Sequence, residues 1–342
     1  MRYRSLYIFA GVFFLFCHSL LAEGSGFTLV WPTPSTAFAE GHKPAIWVQP
    51  TESGTVKSAL FGCVRNGGSR FHEGIDIRPV LKRKHGEATD PIYSIMDGQV
   101  AYINKIAGNS SYGRYVVVVH TQASPQVYSL YAHLSSVDAK LRVGQYVRAG
   151  AKLGIMGRSA LYHIPKTRAH LHLEIGVRLT NKFENWYSRQ NFKEKNFHGL
   201  FNGMNLTGFN PLDFYEQYRR GNVGSILDYV NAIPTGYVLR IAYPDVPDYV
   251  KRYPELVTGE IPENGLVGWE VSFTWFGLPK RWQAITEDQD MSLNTPGTIR
   301  MVSWNPKEFE GNLGKKTIVK RNGQPTLGKA GIQILQILFD FK

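Results

Sequence analysis

Arg168-Ala169-His170-Leu171-His172-Leu173-Glu174-Ile175 is the stretch on which the fold turns. In an extended strand successive side chains point to opposite faces, so His170, His172 and Glu174 share one face. Leu171, Leu173 and Ile175 then line the other face and belong to a core. Two imidazoles on one side of a strand suggest something for them to hold. A solvated face produces the same pair, and the chain has 10 histidines, so the pair alone decides nothing.

Phe71-His72-Glu73-Gly74-Ile75-Asp76-Ile77 adds the missing chemistry. His72 and Asp76 are four apart, a spacing that shares a face on a strand as well as on a helix. The glycines at 67, 68 and 74 and the β-branched Ile75 and Ile77 favour the strand. His72, Asp76 and His172 together offer two imidazoles and one carboxylate, a ligand set suited to Zn²⁺. Three protein ligands leave a fourth position for water, as in catalytic rather than structural sites. The zincin helix motif is excluded, because Asp76 stands where its second histidine would be.

In chain order, His-x-x-x-Asp, then Tyr131-Ala132-His133-Leu134, then His-Leu-His-Leu-Glu resembles the lysostaphin-type (LytM-like) zinc peptidases. Phe61-Gly62 with Arg65, Asp97-Gly98-Gln99-Val100, the run Tyr115 to His120, Val143-Gly144-Gln145 and Ala149-Gly150 extend the likeness over roughly residues 47–216. The resemblance implies an antiparallel β-sheet core with few helices and a zinc site in an open groove. It implies hydrolysis of peptide cross-links in bacterial peptidoglycan. It also implies that His170 and His133 are the catalytic pair, His170 as general base and His133 as its partner in orienting water or stabilising the oxyanion. Glu174 is placed to bond a ligand imidazole from behind; it could equally be a surface carboxylate. A non-enzymatic member of the same fold, binding wall or activating another hydrolase, is the alternative. A cysteine peptidase built on Cys63 is a second rival, although a lone cysteine between Phe61 and Val64 is more often a small buried residue.

With 342 residues the chain has room for about two domains. A formal charge of +12 and the absence of nucleic-acid motifs point to an anionic cell-wall polymer as a partner, or to solubility alone. Residues 1–22 read as a signal peptide: Arg2 and Arg4, an apolar run from Leu6 to Phe16, then Ser19-Leu20-Leu21-Ala22 before cleavage near Ala22. Export to the periplasm or cell wall follows, and an uncleaved anchor is the lesser reading. Cys17 is discarded with the leader, which leaves Cys63 without an internal disulfide partner.

Residues 23–46 form a lead-in segment draped on the domain, and residues 47–216 the peptidase domain. In the latter, Pro91 to Met96 and Gln99 to Ile106 read as two strands around a tight turn at Asp97-Gly98. Residues of about 177–209 are an aromatic-rich insertion with Phe183, Trp186, Tyr187, Phe192, Phe197 and Phe201. It either walls the groove or forms a surface elaboration with its own small core. Residues 217–342 read as a mostly β module of unknown role, with strands expected at Gly265 to Phe276, Thr298 to Trp304 and Gly331 to Phe341. Exposed tryptophans there would suit wall binding; buried ones would be its core.

Overall fold

The His-x-His stretch opens the strand Leu171–Arg178, which lies within a seven-stranded antiparallel sheet. The computed structural model describes residues 27–290, 293 and 295–341. The proposed leader, residues 1–22, lies outside them. Among the described residues no helix is long and apolar enough to cross a membrane.

The main sheet runs Leu206–Phe209, Leu171–Arg178, Val127–Ala132, Tyr115–His120, Gly98–Asn104 and Tyr146–Val147, with Ile75–Ile77 paired to the first residues of Leu171–Arg178. Alternation sorts its two faces as the sequence implied. Leu171, Leu173, Ile175, Val116, Val118, Ile75 and Ile77 are buried in the main core. Tyr115, Val117, Tyr128, Leu130 and Ala132 form a second apolar layer on the other face, under Phe201. The insertion therefore packs on the face that carries His172 and Asp76, while its Phe183 and Trp186 join the main core. Leu206–Phe209, its last stretch, is an edge strand of the main sheet.

Several sequence expectations are corrected. His72 and Asp76 are not on one strand. Arg70–His72 pairs with Gly62–Arg65, and Ile75–Ile77 with Leu171–Arg178. The chain bends between them at Gly74, which passes so close to Leu173 that a Cβ would lie 2.1 Å from its carbonyl oxygen. Pro91–Tyr93 and Gly98–Asn104 do not form a hairpin either. The former pairs with Lys152–Ile155 in a separate three-stranded sheet. Asp97 accepts from Ala149 N (2.7 Å) and Tyr146 Oη (2.9 Å), which makes Asp97-Gly98 a corner between two sheets. Gly331 to Phe341 is not extended. Lys329–Phe339 is a helix, and its buried Gly331, Ile334, Leu335 and Leu338 recur at helical spacing. The lead-in segment is core rather than drapery: Trp31 stacks on Phe38 (4.6 Å), and Tyr215 Oη donates to Val30 O (2.6 Å).

After residue 217 the chain builds a four-stranded antiparallel sheet in the order Pro279–Thr286, Leu266–Phe273, Tyr237–Ala242, Ile299–Trp304. Trp269 and Trp282 are fully buried, so these two are core and not an exposed binding face. The sheet's surroundings touch residues 47–216 closely. Phe276 meets Phe61 edge-on at 5.2 Å and Trp275 meets Phe71 at 5.7 Å. Arg252 Nη2 donates to the carbonyls of Arg178 and Leu179, each at 3.0 Å.

His120 illustrates a buried histidine with no part in the site. Its Nδ1 donates to Asp97 O (2.9 Å), its Nε2 is 2.8 Å from Ser129 Oγ, and burial pushes its pKa from 6.5 down to about 4. The folded protein thus binds this proton more weakly than the unfolded chain. Its contribution to stability is complete above pH 6.5 and is lost as the pH falls towards 4, by about 3 kcal/mol in total. In urea unfolding with chelator present, His120→Gln should lower stability at neutral pH but flatten the decline between about pH 6.5 and 4. An unchanged pH slope would contradict the assignment.

Candidate metal centre

Cross-strand register sets the first pair. His172 stands directly opposite Asp76, and the bend at Gly74 returns His72 to the same place. His72 Nε2, Asp76 Oδ1 and His172 Nδ1 then lie 3.0 Å (His72 to His172), 3.2 Å (His72 to Asp76) and 3.0 Å (His172 to Asp76) apart. All three side chains are buried.

Neighbouring acceptors fix which ring nitrogens carry hydrogen. A carbonyl can only accept, so His72 Nδ1–H donates to Leu60 O (2.8 Å) and leaves Nε2 with its lone pair facing the cluster. His172 Nε2–H donates to Glu174 Oε1 (2.9 Å) and leaves Nδ1 facing the cluster. Glu174 is in turn held by Tyr112 Oη (2.6 Å) and Tyr128 Oη (3.1 Å). Orienting a ligand imidazole through its far nitrogen is the usual support for a metal site.

Three such atoms at this separation repel one another unless a proton or another positive charge stands among them. The structure supplies such charge. Arg65 Nη2 donates to His72 Nε2 (2.9 Å) and to Asp76 Oδ2. Burial disfavours a charge on His172, but hydrogen bonds to Asp76 and Glu174 outweigh it and raise the ring to about 9. Burial likewise opposes ionisation of Asp76, yet the neighbouring His72 and His170 rings and the hydrogen bond from His172 hold it well below the usual carboxylate range. Tetrahedral ligands about 2.0–2.1 Å from zinc stand roughly 3.3 Å from each other, close to the separations here. The donor set fits a divalent cation, and it is the group of metal-binding side chains found among the described residues.

His170 and His133 flank this set. His170 Nδ1–H donates to Arg168 O (2.7 Å), and its Nε2 lies 3.7 Å from Asp76 Oδ1. His133 Nδ1–H donates to Ser159 O (2.9 Å), and the two rings meet edge-on at 4.6 Å. Burial lowers the pKa of both rings, aided at His133 by the charges of His170 and His172 and resisted at His170 by Asp76. Both present an unprotonated Nε2. His133 does so from a backbone φ of 60°, an uncommon conformation for a residue with a side chain.

Residues 70–184 match the family described as peptidase family M23. Over this stretch the chain resembles peptidase family M23. The M23 segment contains all six residues singled out from sequence: His72, Asp76, His133, His170, His172 and Glu174. No curated protein sequence matches the chain. Among solved structures, a zinc containing peptidase from Vibrio cholerae is 26% identical over 31% of this chain and 26% of its own, with a TM-score of 0.24. Csd3 from Helicobacter pylori is 25% identical over 38% of this chain and 30% of its own, TM-score 0.24. The catalytic domain of lysostaphin from Staphylococcus simulans is 18% identical over 53% of this chain and 98% of its own, TM-score 0.30. The chain thus spans less than a third of the length of the first two.

The structure brings all six residues together around the M23 segment's buried acceptors. His120 lies away from them and is bonded within the sheet, and His198 bonds Tyr102 Oη and Asn109 O. Cys63 is buried, with Sγ 3.4 Å from Asn312 O, and burial raises its thiol pKa, which does not suit a nucleophile. Sequence reading gave no role to Tyr112 and Tyr128, which hold Glu174. Tyr128 carried a signal, since it lies two and four residues before Leu130 and Ala132 on the same strand face; Tyr112 sits in a loop and carried none.

Proposed function

We propose that the chain is an exported zinc endopeptidase that hydrolyses peptide cross-links of peptidoglycan. The observation that carries this reading is the convergence of His72, Asp76 and His172 on one buried cluster with His170 and His133 beside it, each of the four rings anchored through its far nitrogen. His72, Asp76 and His172 would hold zinc, which supplies a Lewis acid that acidifies a water and polarises the scissile carbonyl. The chain's own residues do the rest. His170 Nε2, kept free of hydrogen by the bond from Nδ1 to Arg168 O, accepts the proton of the attacking water and returns it to the leaving amine. His133 Nε2 orients the same water. Glu174 keeps His172 turned towards the cluster. Burial keeps His170 and His133 neutral near pH 7, as proton acceptors must be.

The formal charge of +12 supports attraction to an anionic wall polymer, and the leader-like residues 1–22 support export. The test is digestion of purified peptidoglycans of different cross-link type, with mass spectrometry of the fragments. New amino termini at one cross-link type are expected. Zinc-loaded protein that binds every sacculus and opens none would replace this reading with a wall-binding role.

A further inference from the structure

A cavity of about 680 Å³ opens between the M23 segment, the insertion and the C-terminal residues, and its lining includes Arg70, Glu73, Tyr112, His198, Lys315 and Gln333. Two of these tie it to the metal centre. Glu73 adjoins His72, and Tyr112 donates to the carboxylate that holds His172. We propose that this cavity is a subsite for an acidic peptide, with Lys315 holding a free carboxylate of the substrate. The inference rests on the peptidase reading given above and goes on to name what the substrate presents.

Lys315 is suited to the task by position and by the lack of a hydrogen-bonded carboxylate. Its Nζ lies 4.2 Å from the centre of the Phe71 ring, and Glu73 and Glu174 act on it through their charge, without a hydrogen bond. Glu174 is taken up by Tyr112, Tyr128 and His172. Burial lowers the Lys315 pKa and the charges of Glu73 and Glu174 oppose it; Glu73 is exposed, and Lys315 and Arg70 stand against it alone among the carboxylates of the lining. The backbone that carries Lys315 is fixed. The turn Leu313–Lys315 packs on the hairpin formed by Gly62–Arg65 and Arg70–His72, and a Cβ on Gly314 would lie 2.3 Å from Gly68 O. A cation held in place on a half-buried wall binds a carboxylate at little cost in chain ordering. Through Lys315 the segment after residue 217 would contribute directly to the substrate groove.

Calorimetric titration of the zinc-loaded full chain with an acidic stem tetrapeptide, and with the same peptide amidated at every carboxylate, tests this without turnover. The wild type is expected to bind the acid about tenfold more tightly than the amide. Lys315→Met should erase that preference while leaving affinity for the amide unchanged, and Lys315→Arg should keep most of it. Equal affinity of the wild type for acid and amide would overturn the proposal, and this comparison needs no variant to fold. A preference that survives in a folded Lys315→Met protein would overturn it too. Binding preference without hydrolysis would count against the peptidase reading alone. Hydrolysis without preference would count against the subsite alone.

Discussion

His72→Ala is expected to strip zinc from the protein and to lower hydrolysis by roughly 10³-fold or more, beyond the 10–100-fold typical of losing a supporting residue behind a ligand. The reason lies in the packing of the cluster. His72 is fully buried, its Nδ1 is anchored on Leu60 O, and its Nε2 stands 3.0–3.2 Å from the acceptor atoms of His172 and Asp76. Among the described residues the metal-binding group is His72, Asp76 and His172, and His170 is outside it. Asp76→Ala and His172→Ala should do the same to metal content. Asp76→Ala should also cost stability, since Arg65, His72 and His172 would lose the carboxylate that neutralises them; removing one partner of a buried pair costs about 3–5 kcal/mol. Metal analysis of the three purified variants decides the matter, and full zinc in all of them would refute the assignment.

His170→Ala and His133→Asn are expected to keep zinc and to lose turnover by about 10²–10⁴-fold, the scale of lost acid–base assistance. Asparagine is the better choice at 133. The backbone there has φ of 60°, which asparagine tolerates and alanine does not, so the variant separates loss of the ring from loss of the local fold. Metal content and kcat measured on the same preparations distinguish the roles. Loss of zinc would make the residue a ligand, and near-normal kcat would make it a bystander.

The strand alternation around His172 was legible because each side chain's face follows from its neighbours two residues away. The ligand set was legible in composition but not in construction. A single strand carrying His72 and Asp76 was a reasonable reading of four-residue spacing. The bend at Gly74 is forced by the approach of Leu173, a hundred residues away in no local pattern. The same limitation explains Asp97-Gly98, whose hairpin signal is overridden by bonds to Ala149 and Tyr146. The segment expected to be extended from Gly331 to Phe341 is the helix Lys329–Phe339 instead, whose buried residues follow the 3–4 spacing of an amphipathic helix. The tautomers of the four site histidines depend on Leu60 O, Ser159 O, Arg168 O and Glu174. Three of these are backbone carbonyls, which side-chain identity does not encode.

The central claim is that these acceptors hold a cation whose presence makes the chain a peptidase. It is tested most directly by stripping the purified chain of metal, restoring one equivalent of zinc, and following a cross-linked peptide dimer by mass spectrometry in heavy-oxygen water. Cleavage into two peptides, with one labelled oxygen in the new carboxylate and only after zinc is restored, is the predicted result. An intact dimer in the zinc-restored sample, or cleavage that proceeds equally well in the stripped one, would contradict it.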